Sequence, residues 1–424
     1  MPLEKIAQQL NVNYLVEGNF QISGNKVKVN MQLIDPSNLY KSSVSQYFGE
    51  WNEDELFSVQ AKIAEGVIEL LNLQITDSEI QEVSRIPTSN NESYDYFLQG
   101  QYQFMRFSKE GIENARVLFS KAIELDSSFI EPYIGLADIW IMSGAMWGVN
   151  KEKVAWTNAK TIFAKALDKD VNKIYHKTII GTRLRGQFYY SWDFQNIEKY
   201  FQKYHQGGVI ELKSMVIGFD YARKTGRFIE ALNFTEIALK KDPTIGSYYA
   251  HKAFMFYFLG RSQEAKNILN SSDQLFNTDF FYLIESTQIY YYLGDFNMFS
   301  RQLDKLLKIF PDRPPLIKWL SLIRSVTNDN SAGNEKYLNL LLQDYQNENS
   351  GSPAWFLALY YAHIGDDDKT FEWLQKSYEA HEVEMTWLKE EPLLRPLRSD
   401  PRYIDLYDKV GFPFPISPTT EFKP

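Results

Sequence analysis

Apolar residues recur along most of this chain at the three-and-four spacing of amphipathic helices, and the helical stretches repeat one another. "GRFIEALNFTEIALKKDP" (Gly226 to Pro243) and "GRSQEAKNIL" (Gly260 to Leu269) both open with Gly-Arg and carry a Glu-Ala pair a few residues on. Steps of 34 residues lead from Gly226 to Gly260 and Gly294, from Ala231 to Ala265 and Phe299, and from Pro243 to Asn277 and Pro311. Three ladders sharing one period predict a copied helix-turn-helix unit, and a 34-residue period with these residues is the tetratricopeptide signature.

Each recurring residue has a physical job. The small residue at unit position 8 and the Ala at position 20 let paired helices approach closely. The position-15 Gly ends the first helix in a left-handed conformation, and the position-32 Pro opens the next unit. With Gly226 at position 15, units start at 178, 212, 246 and 280, with further ones at about 93, 130, 317 and 351. Those near 178 and 317 are degenerate, and the unit from 130 carries extra residues around "SGAMWGVNKE", read as a longer loop. The expected architecture is mainly α: a superhelical solenoid of about eight repeats over 93–395, then a capping helix and tail over 396–424. In that cap, "LRSDPRYIDLYDKVGFP" places Asp400 or Ser399 as N-cap, Pro401 as first helical residue and Gly411 as stop.

Residues 1–75 read differently. "YLVEGNFQISGNKVKVNMQLID" alternates apolar and polar positions, with Phe20 and Ile22 before, and Val27, Val29, Met31 and Leu33 after, a Gly24-Asn25 turn. "SSVSQYFGE" is a third strand, a short helix covers Leu3 to Leu10, and a helix from roughly Asn52 carries Leu56, Phe57, Ile63, Val67 and Leu71 on one stripe. This is a small α/β head, and the polar residues 76–92 form a linker.

Composition narrows the chemistry. The 424 residues are 44% hydrophobic and 15% aromatic, enough for a packed interior, and a net charge of −9 without a basic block argues against nucleic acid. Absent cysteine removes thiolate metal sites and cysteine nucleophiles. No apolar run is long enough to span a membrane, and the first residues lack the pattern of a signal peptide. The compartment stays open, with the cytoplasm favoured over the periplasm. His176, His205, His251, His363 and His381 show no metal-ligand spacing and read as surface or inter-helix residues. The acidic run in "GDDDK" (Gly365 to Lys369) reads as complementing a helix dipole rather than holding a cation. With no phosphate loop, nucleophile elbow or kinase signature, neither catalysis nor a cofactor is expected.

The arrangement of the parts resembles a known bacterial one. "LNVNYLVEGNFQISGNKVKVNMQLIDPSN" is similar to the later half of the TolB-like (FlgO-like) amino-terminal domain, and "DELFSVQAKIAEGVIELL" to its closing helix. "YDYFLQGQYQFMR", "AHIGDDDKTFEWLQKSYE" and "LRSDPRYIDLYDKVGFP" resemble the tetratricopeptide half of the same proteins. There the part preceding the TolB-like domain is a nucleotide cyclase, a winged-helix regulator or a Ser/Thr kinase. The resemblance implies that the head lacks its first strands, leaving an open sheet edge or an unmatched apolar face, and the expectation is a carboxy-terminal fragment or the product of a shortened gene.

It also implies where binding occurs. Positions 2, 5, 9 and 12 of each unit's first helix line the concave face in such arrays. Carried over, these are Lys213, Val216, Asp220 and Arg223; then Ser247, Ala250, Phe254 and Tyr257; then Phe281, Ile284, Gln288 and Tyr291. The candidate contacts are Lys213, Asp220, Arg223, Phe254, Tyr257, Gln288 and Tyr291, suited to an extended protein or peptide segment. Val216 and Asp220 replace two residues of the clamp that holds carboxylate-ended chaperone tails, which disfavours such tails. The bland alternative is helix packing, the reading for Tyr290, Trp140, Trp355 and Trp373. The expected function is a non-catalytic protein-interaction module of a bacterial signalling or transcription-regulatory system. The alternative is the regulatory tail of an adenylate/guanylate cyclase or Ser/Thr kinase.

Overall fold

The computed structural model describes residues 3–36, 42–50, 56–71, 76, 85–206, 219–310 and 312–418. They divide into two compact units, Met1–Asp95 with Glu124–Phe129, and Tyr96–Ile123 with Ile130–Pro424.

The first unit holds α1 (Leu3–Leu10), an antiparallel sheet of β1 (Leu15–Ser23), β2 (Lys26–Ile34) and β3 (Ser42–Glu50) in that order, and α2 (Leu56–Leu70). Gly24 takes φ 59° in the β1–β2 turn, the conformation its lack of a Cβ allows. Alternation then sorts the central strand: Val27, Val29 and Met31 are buried against Tyr47, Ile63, Val67 and Leu70. Phe20 pairs with Val29 and Ile22 with Val27, so both share that face, yet they are 70% and 45% exposed. On the edge strand the apolar stripe thus has little cover.

The second unit is built of antiparallel helix pairs. α3 (Asn91–Phe104), which enters from the first unit, pairs with α4 (Lys109–Leu125), α5 (Glu131–Ala145) with α6 (Glu152–Lys169), and α7 (His176–Ser191) with α8 (Phe194–Gln206). A helical stretch at 219–224 precedes α9 (Phe228–Lys241). Then follow α10 (Gly246–Phe258) with α11 (Ser262–Phe276), α12 (Phe280–Tyr292) with α13 (Phe296–Ile309), α14 (Pro315–Thr327) with α15 (Ser331–Gln346), and α16 (Pro353–His363) with α17 (Asp367–Glu379). Gly226, Gly260 and Gly294 have φ of 84°, 74° and 67°, so the glycine ladder marks one turn made three times. Each turn closes with the next N–H reaching back to the helix: Arg227 to the Ala222 carbonyl at 2.8 Å, Arg261 to Phe256 at 2.8 Å and Asp295 to Tyr290 at 2.9 Å. Ala231, Ala265 and Phe299 are fully buried where the paired helices meet. Asp366 of the acidic run caps α17 by accepting from the Lys369 N–H at 3.1 Å.

Two features reshape the array. Trp147, in the stretch read as a loop, is 1% exposed and stacks with Phe107 and Phe280, so the early helices meet the later ones. Beyond α17, residues 383–397 form two short 3₁₀ turns before α18 (Pro401–Val410), which is capped by Asp400 and stopped by Gly411 at φ 81°.

Candidate functional site

An irregular peptide of the same chain lies against the ends of the first helices of successive repeats. Lys224 Nζ donates to Thr386 Oγ1 at 3.0 Å, and the Arg223 guanidinium lies 4.9 Å from the Trp387 ring. Phe258 stacks on Trp387 at 6.4 Å and lies 5.5 Å from the Arg395 guanidinium. The Tyr292 hydroxyl donates to Glu391 Oε1 at 3.0 Å. Lys224, Phe258 and Tyr292 stand 34 residues apart, so a single repeat position, the thirteenth, meets residues 386–395 three times.

This segment carries charges into the interior. Lys389, Glu390, Glu391 and Arg398 are each at most 5% exposed. Lys389 pairs with Glu390 at 2.9 Å and Arg398 with Glu390 at 3.3 Å, while Lys389 also donates to the Pro415 carbonyl at 3.0 Å. Such charges are stable inside only when compensated in this way. Glu382, at the segment's start, accepts from the Ala354 and Trp355 N–H groups at 3.0 and 2.8 Å and so caps α16 from a distance in sequence. Burial pushes its carboxyl up to about 7, the N–H groups only partly offsetting that, and burial raises Glu391 to about 7 likewise.

An ion-pair network lies beneath. Arg223 donates to Asp220 Oδ1 at 2.9 Å and to Glu285 Oε1 at 3.1 Å, and His251 Nε2 meets the same Glu285 oxygen at 2.9 Å. Burial opposes ionisation of Asp220, but Lys224 and Arg223 outweigh it and hold the carboxyl at about 2. His251 and Arg223 likewise hold Glu285 below its ordinary value against burial.

The residues expected from the sequence distribute unevenly. Lys213 lies outside the described residues. Asp220 and Arg223 are paired with each other, and Arg223 lies against Trp387. Phe254, 4% exposed, stacks with Tyr292 and lies 6.0 Å from the Trp387 ring. Tyr257 faces Arg395, 5.7 Å away, and burial pushes its hydroxyl up to about 12. Gln288 lines a cavity of about 130 Å³ between α12, α16 and the segment. Tyr291 turns elsewhere: its hydroxyl reaches His363 Nδ1 at 2.8 Å and its ring packs on Trp319. Tyr290 bonds Asn270 at 3.1 Å between helices. Lys224, Phe258 and Tyr292 were missed because position 13 lies one residue beyond the pattern applied, though their own ladder marks them.

No protein-family model matches the chain. A 137-residue stretch is 20% identical to a Rhizobium meliloti (strain 1021) protein provisionally named adenylate cyclase 3, covering 32% of this chain and 23% of that protein. The chain thus spans under a quarter of that relative's length. Among solved structures, the Cut9–Hcn1 hetero-tetramer of the APC/C superposes with a TM-score of 0.50 at 14% identity, over 85% of this chain and 72% of that one. A human IFIT1 dimer with PPP-AAAA gives 0.40 at 13% identity, over 76% and 78%. The first likeness agrees with a tetratricopeptide-type helical solenoid. No helix among the described residues is long and apolar enough to cross a membrane.

Proposed function

We propose that this chain is a non-catalytic protein-interaction module of a regulatory protein, and that the inner face of its array recognises an extended protein segment. One observation carries this reading: Lys224, Phe258 and Tyr292, at one repeat position, already hold an irregular peptide, the chain's own residues 386–395. The chemistry is that of peptide recognition, with aromatic walls and a few fixed charges. A partner segment would compete with the resident one, using Asp220, Arg223, Phe254, Tyr257 and Gln288. The test is cross-linking capture with the wild-type chain, a Trp387→Ala chain and an Arg223→Glu/Tyr257→Ala chain. The reading expects the same partner captured more strongly by Trp387→Ala and lost from the double variant. Equal capture by all three contradicts it.

A second reading is the carboxy-terminal regulatory part of a nucleotide cyclase, favoured by the 137-residue match to the Rhizobium protein. On that reading the head is the later half of a TolB-like domain, which fits the packing of β2 against α2 and the thinly covered stripe on β1. Sequencing the DNA upstream of Met1 decides it. A cyclase domain in phase supports the reading, and a stop codon with a ribosome-binding site directly before Met1 contradicts it.

A further inference from the structure

Between the inner helices and the closing segment remains the cavity of about 130 Å³. Its walls are aromatic, with Phe281, Trp319, Trp355 and Trp387 among them, and its polar groups are unevenly satisfied. Arg223 and Lys224 border it, but both are committed, Arg223 to Asp220 and Glu285, Lys224 to Asp220 and Thr386. Glu384 also lines it, and its carboxylate has no hydrogen-bond or ion-pair partner among the described residues; only its backbone N–H is engaged, by Ser352 Oγ. Glu285 Oε2 has no partner either, nor does the indole N–H of Trp319, a residue with no exposed surface. Burial, with Asp220 nearby, raises the Glu384 carboxyl, and Lys224 and Arg223, held by other partners, offset this only in part.

We propose that this cavity binds a small organic ammonium cation, with Glu384 as counter-ion and the surrounding rings as walls. The cation completes the compensation that Arg223 and Lys224, bonded to Asp220, Glu285 and Thr386, give Glu384 only in part, and aromatic faces attract it through their quadrupoles. An anion would meet Glu384 and Glu391, and a neutral apolar molecule would leave Glu384 uncompensated. In size the site suits about six non-hydrogen atoms, since a cavity of roughly 150 Å³ accommodates benzene.

Three probes of matched size and different charge test this on the full chain: n-butylammonium, 1-butanol and butyrate, titrated by calorimetry and ligand-observed NMR at constant ionic strength. The proposal expects n-butylammonium to bind about tenfold or more tighter than 1-butanol, with butyrate weakest. Glu384→Gln, which keeps the side chain's shape, is expected to remove about tenfold of the n-butylammonium affinity and to leave 1-butanol unchanged. Equal binding of the three, no binding of n-butylammonium at about 10 mM (a cavity holding water only), or an unchanged affinity in Glu384→Gln would each overturn it. The comparison among probes on the wild-type chain stands even if the variant fails to fold.

Discussion

The guanidinium of Arg223 lies 4.9 Å from the ring of Trp387, a residue 164 positions further along the chain (387 minus 223). The same ring lies 5.2 Å from Lys224 Nζ and 6.0 Å from Phe254. Removing it therefore costs dispersion, cation–π attraction and the shielding of a buried ion-pair network together. We expect Trp387→Ala to lower unfolding free energy by about 3 kcal/mol, measured by urea denaturation. A change within about 0.5 kcal/mol would mean the segment does not rest there.

Two glycines of one ladder separate backbone strain from crowding. Gly260, at φ 74°, has nothing within 4 Å of where a Cβ would stand, whereas at Gly226, φ 84°, that Cβ would meet Glu390 Oε1 at 2.6 Å. Gly260→Ala is expected to cost about 1 kcal/mol, the left-handed penalty alone. Gly226→Ala adds displacement of a buried ion pair and should cost measurably more in the same denaturation experiment. Equal losses would place residue 390 elsewhere.

Acid should stabilise the fold over part of the pH range. Glu152, Glu382 and Glu391, each raised mainly by burial, titrate at about 7 in the folded chain against an ordinary 4.5. Between those values the folded chain keeps protons that the unfolded chain has released. Stability from these groups is therefore greatest below pH 4.5 and declines as pH rises through 7. Asp220 acts oppositely, its contribution being present above 3.8 and lost as pH falls through about 2. Thermal melts should give a midpoint several degrees higher at about pH 5.5 than at about pH 8, with a shallower slope for Glu391→Gln. A midpoint that rises toward pH 8 contradicts the burial of these acids.

What could be read from the sequence followed from local rules. The positive φ at Gly226, Gly260 and Gly294, the Gly24 turn, and the Asp400, Pro401 and Gly411 boundaries of the last helix all depend on a few neighbouring residues. Residues 383–398 escaped because short 3₁₀ turns carry no long period, and because Lys389, Glu390, Glu391 and Arg398 look like solvated charges until their partners are known. Trp147 looked like part of an inserted loop for the same reason: its partner Phe280 is distant in sequence. Phe20 and Ile22 follow the right alternation but have little cover, since strand pattern fixes the face and not what lies against it.

Amide hydrogen exchange across residues 383–398 tests the seated segment most directly. The Leu388 and Glu390 N–H groups donate inside it to the Met385 and Trp387 carbonyls at 3.1 and 2.9 Å, under the same cover as α10 and α12. Protection of these amides comparable to that of α10 and α12 is the predicted result. Exchange as fast as that of an unstructured tail would show an empty inner face and contradict the account.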